Sequence, residues 1–155
     1  MKRASREFRF ELEALRRKRE WELDALRLEL AHAGRLLQQA NERKEALEIR
    51  VATARQDWAR RSAGAGVIDV RWQRVAAAYL SDLREMMKRV LDEIRALHEA
   101  REQALARVTA AHRELEVLER QRERAIETFN IEAGRRELVR ADENWLQRMP
   151  DEGAA

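Results

Sequence analysis

The fold is decided by Leu80-Ser-Asp-Leu83-Arg-Glu-Met-Met87-Lys-Arg-Val90-Leu-Asp-Glu-Ile94-Arg-Ala-Leu97, which begins a repeat that runs on to Phe129. Steps alternating between three and four residues from Leu80 land on Leu83, Met87, Val90, Ile94, Leu97, Arg101, Ala104, Val108, Ala111, Leu115, Leu118, Arg122, Ala125 and Phe129. Thirteen of these fifteen positions are apolar, in one unbroken frame. A sustained 3.5-residue repeat holds one stripe against a partner helix and imposes a left-handed supercoil.

The same pattern lies upstream. From Leu12 to Trp58 the series reads Leu12, Arg16, Arg19, Leu23, Leu26, Leu30, Ala33, Leu37, Ala40, Lys44, Leu47, Val51, Ala54 and Trp58, apolar at eleven of fourteen places. Between the two repeats sits a breaker, Ser62-Ala-Gly64-Ala-Gly66, and Asp69 is placed to cap a helix that opens at Val70. The spacing predicts a helix over 5–61, a loop over 62–69, a helix over 70–148 and a disordered tail over 149–155. With so short a loop, the simplest partner for each stripe is the other helix. The expected architecture is therefore all-α: one domain, two long helices folded into an antiparallel coiled-coil hairpin, the second longer than the first.

Composition agrees. Of 155 residues, 39% are charged and 45% hydrophobic, with 5% aromatic, five glycines, one proline and no cysteine. So few turn formers exclude a β-sandwich or barrel, which needs a turn every ~8–12 residues. The basic total is 32 against 29 acidic, and the halves differ: residues 1–61 carry 16 basic and 11 acidic groups (+5), residues 62–155 carry 16 and 18 (−2). Each charge tends to sit near its opposite, whereas nucleic-acid binding needs an unbalanced basic patch. Met1-Lys-Arg-Ala-Ser-Arg-Glu has no apolar segment behind it, and no run approaches the ~18 apolar residues of a membrane span. The expectation is a cytoplasmic protein with no membrane insertion.

Helix lengths leave a remainder. At ~1.5 Å per residue the first helix is about 85 Å long and the second nearly 120 Å. Folding back from a tip near residue 65 sets Phe8 opposite residue 122 or so, which leaves everything from about 128 to 148 overhanging. Ile131, Leu138 and Trp145 form a seven-residue series out of phase with the earlier frame. An apolar stripe without a partner in the chain reads as a binding end.

Enzyme chemistry finds little footing, and no catalytic, cofactor-binding or metal site is expected. Glu29-Leu-Ala-His32 is half of a di-metal carboxylate motif, but no second Glu-x-x-His occurs. His98 with Glu102 and His112 with Glu116 have ordinary i,i+4 spacing. Arg16-Arg-Lys-Arg19 is either a solvated face flanked by Glu13, Glu20 and Glu22 or an electropositive collar; Arg16 and Arg19 in a seam need an acidic partner, inside or outside the chain. Aromatic residues collect in two places and are absent from 80–128. Phe8, Phe10, Trp21, Phe129 and Trp145 lie toward the chain termini, and Trp58, Trp72 and Tyr79 flank the loop. Trp58 falls in the seam; Trp72 and Tyr79 fall outside it and are expected to be exposed. A connector between two partners would be built this way.

This layout resembles the FliJ/YscO (SctO) family, coiled-coil stalk proteins of flagellar and type III secretion export apparatuses. The resemblance rests on Phe8-x-Phe-x-Leu-x-x-Leu15 at the start, a glycine-containing loop followed by Arg71-Trp72, then Tyr79-Leu-x-x-Leu83, and Glu137-Leu-x-x-x-Asp-Glu-Asn-Trp145-Leu-Gln-Arg148 at the end. It implies a non-enzymatic stalk that links a hexameric secretion ATPase to the cytoplasmic domain of the export gate, couples ATP hydrolysis to export and contacts export chaperones. Such a protein is cytoplasmic and peripheral to the inner-membrane apparatus. Carried onto this chain, ATPase contacts fall on Arg16, Arg19, Leu138, Arg140, Trp145 and Arg148; gate contacts fall on Trp58, Trp72, Tyr79 and Leu83. Ala54 stands where the family carries another aromatic, and Val90 where it carries a histidine. General similarity leans toward the injectisome branch over the flagellar one. The alternative is a generic coiled-coil scaffold or an export chaperone acting as a homo-oligomer.

Overall fold

The computed structural model describes residues 8–64, 66–67 and 69–148. It contains two helices, α1 (Glu13–Ala63) and α2 (Val70–Arg148), of 51 and 79 residues. The expected all-α hairpin with a longer second helix is what forms. Its first helix starts later than the predicted residue 5: residues 8–12 are not helical, and 5–7 lie outside the described residues, as does the tail from 149. The helix extends two residues past the predicted end at 61, and the second has the predicted bounds.

The cap at α2 is built as the sequence requires. Asp69 Oδ1 accepts hydrogen bonds from the backbone N–H of Arg71 (3.0 Å) and of Trp72 (3.2 Å), satisfying two donors that the first turn leaves unpaired.

The core is the two heptad series. Among the described residues the eight buried apolar side chains, Leu23, Leu37, Ala40, Leu47, Leu83, Ala104, Leu115 and Leu118, all belong to them. Of the other series positions, only Leu12 and Arg122 are exposed.

Contacts divide the chain into two compact units, 24–109 around the loop and 1–23 with 110–155 at the termini. Within the loop unit, Arg43 pairs with Glu93 (2.7 Å) and Glu29 with Arg107 (3.0 Å). Fourteen residues back along α1 thus correspond to fourteen forward along α2, two heptads each. That is antiparallel pairing with the register held. Within the terminal unit, Arg19 meets Glu114 (3.4 Å) and Arg122 meets Glu13 (3.6 Å), again antiparallel.

Candidate interaction surfaces

In the terminal unit, the non-helical segment before α1 carries Phe8 onto Phe129, ring centroids 5.6 Å apart and planes at 65°. Phe8 was expected opposite residue 122. The difference lies in the register: the Glu13–Arg122 pair is centred between residues 67 and 68, not on residue 65, and counting back from it in equal steps already sets Phe8 opposite residue 127, close to Phe129. Phe129 and Ala133 are partly covered, so the overhang begins near residue 134, not 128.

From Gly134 to Arg148 every side chain is exposed. Leu138 is 68% and Trp145 60% accessible, with Val139 and Leu146 similarly open. Arg140 and Arg148 share this segment. Four of the six residues assigned to the ATPase side therefore lie on one uncovered stretch of helix.

Arg16 and Arg19 are different. Arg16 forks onto Glu13 (3.0 Å) and reaches Glu20 (3.4 Å); Arg19 contacts Glu22 (2.8 Å) and Glu114 (3.4 Å). Their acidic partners are within the chain, so these two arginines are tied into the terminal unit. The pairing holds each guanidinium's pKa above its ordinary value, Arg16 chiefly by its bond to Glu13 and Arg19 chiefly by its bond to Glu22. Glu13, bonded by Arg16 and with Arg17 and Arg122 beside it, has its carboxyl pKa lowered. Trp21, 81% accessible beside Arg17 and Lys18, is the more open feature of this part of α1.

In the loop unit, Trp58 and Trp72 pack at 5.5 Å between centroids, tilted by 41°, and the Arg61 guanidinium lies 5.1 Å from the Trp72 ring. Trp72 is thus half-buried, not exposed as its position outside the seam suggested; its neighbours across the loop cover it. Tyr79 is exposed, its hydroxyl accepting from Arg50 Nη2 (3.3 Å). Trp58, Trp72, Tyr79 and Leu80 line one shallow groove with Arg61 at its side. Leu83 is not part of it. At 1% accessible it fills the seam, as a position in the 80–83–87 frame should.

Glu29, of the Glu-x-x-His stretch, is engaged by Arg107. Glu102 and Glu116 go to Arg101 and Arg120, not to His98 and His112. Among the described residues no helix is long and apolar enough to cross a membrane.

No family model, curated protein or solved structure matches the chain. Fold and surfaces together define a two-helix coiled-coil hairpin with an aromatic groove beside its loop and an uncovered apolar-and-arginine segment at the end of its longer helix.

Proposed function

We propose that this chain is a stalk of a type III secretion export apparatus, linking a hexameric ATPase to the export gate by binding alone. The observation that carries the reading is that each unit bears its own uncovered surface, unlike the other's: the Trp58–Trp72–Tyr79 groove in the loop unit and the exposed 134–148 helix in the terminal unit. Leu138, Arg140, Trp145 and Arg148 are the ATPase contacts, and Trp58, Trp72 and Tyr79 the gate contacts. Arg16 and Arg19 support the ATPase end by holding the terminal unit together. The chain's action in this reading is mechanical and electrostatic. One asymmetric hairpin in a near-sixfold pore touches the ring's subunits unequally and biases which of them closes on ATP. Arginines on the inserted segment steer entry without demanding high affinity. Export chaperones are further partners, and the place of action is the cytoplasmic face of the inner membrane.

A binding titration against the secretion ATPase tests this reading. Trp145→Ala with Arg148→Glu is expected to weaken binding while Tyr79→Ala leaves it unchanged. Equal affinity for all three proteins would overturn the assignment.

A further inference from the structure

From Gly134 to Arg148 every residue of α2 is exposed, and Ile131 just before is 51% accessible. At ~100° per residue, Ile131, Leu138, Val139, Trp145 and Leu146 fall on one strip of α2. Arg135 and Asp142 fall inside that strip, flanked by the apolar residues on both sides. All seven side chains are exposed. Among the described residues, neither Arg135 nor Asp142 makes an ion pair, although fifteen ion pairs are made over residues 13–122. Seven residues apart on one helix, they are separated by about 10 Å of rise and do not meet each other.

We infer that the 131–148 strip binds the same strip of a second copy of this chain, antiparallel, about a two-fold axis between Leu138 and Val139. The charge pattern selects this occupant. About that axis Arg135 of each copy lies opposite Asp142 of the other, Ile131 opposite Leu146, and Leu138 opposite Val139. The strip is complementary to itself, as an isologous interface must be. A parallel pairing would set Arg135 against Arg135 and Asp142 against Asp142. Single charged residues within an apolar seam fix orientation and register in this manner. The strip is short, so the dimer is reversible and its formation depends on concentration. This inference concerns the isolated chain and does not depend on the stalk reading.

Sedimentation velocity of the full chain over a concentration series tests it, with far-UV circular dichroism on each protein. The wild type is expected to pass reversibly from monomer to dimer. Arg135→Glu and Asp142→Arg each place like charges opposite one another twice per dimer and should weaken association roughly tenfold or more. An equimolar mixture of the two variants restores both opposite-sign pairs and should recover the dimer. A wild type that stays monomeric, single variants that associate as the wild type does, or a mixture that fails to recover would each overturn the inference.

Discussion

Phe8 meets Phe129 edge to face, ring centroids 5.6 Å apart, ahead of the point where α1 begins. The contact covers Phe129, and from residue 134 onward α2 is exposed throughout. Phe8→Ala removes the pair and with it cover over Phe129. The expected cost is about 1–2 kcal/mol, an edge-to-face pair with incomplete burial. Hydrogen exchange should speed up over 125–133 and stay unchanged over 80–104.

Leu83 and Tyr79 lie one helical turn apart and separate stability from recognition. Leu83→Ala opens a cavity in the seam and should cost about 3 kcal/mol in chemical denaturation. Tyr79→Ala removes an exposed ring and a hydrogen bond from Arg50, so its midpoint should barely move while gate binding and export fall. Normal export by Tyr79→Ala would remove the groove from the account.

Asp69 is the hinge between loop and helix. Asp69→Ala leaves the N–H groups of Arg71 and Trp72 without their acceptor and should destabilise the loop unit by about 1 kcal/mol, with Asp69→Asn recovering most of it. The readout is the denaturation midpoint of each variant.

Glu13 gives the terminal unit an acid sensitivity. Its folded-state carboxyl titrates below its unfolded value, held down first by the hydrogen bond from Arg16. The contribution is therefore complete above the ordinary carboxylate range and is lost as pH falls through the depressed folded value. Melting temperature measured downward from neutral pH should fall less steeply in Glu13→Gln than in the wild type.

Periodicity made the core legible before any coordinates, because burial in a two-helix pair depends almost only on position in the heptad. Leu23, Leu83, Leu115 and Leu118 are buried where the frame puts them. The Asp69 cap was equally legible, since its chemistry is local. What the sequence did not reveal depends on backbone path and on neighbours across the loop. Phe8 meets Phe129 and not residue 122 because the helices pair about residues 67–68, as Glu13–Arg122 shows, and the breaker Ser62–Gly66 does not locate that centre. Trp72 lies outside the seam yet is covered by Trp58 and Arg61, which reach it only once the loop has turned. For Arg16 and Arg19 the sequence leaves open whether the acidic partner lies inside the chain; Glu13, Glu22 and Glu114 are the partners they take.

Native affinity purification of the tagged chain, with mass spectrometry of what stays bound, decides whether one hairpin joins an export ATPase to an export gate. A Walker-type hexameric ATPase and an export-gate subunit are expected together, with the gate lost from Tyr79→Ala and the ATPase lost from Trp145→Ala. Recovery of the chain alone, or of nucleic acid, would contradict that link.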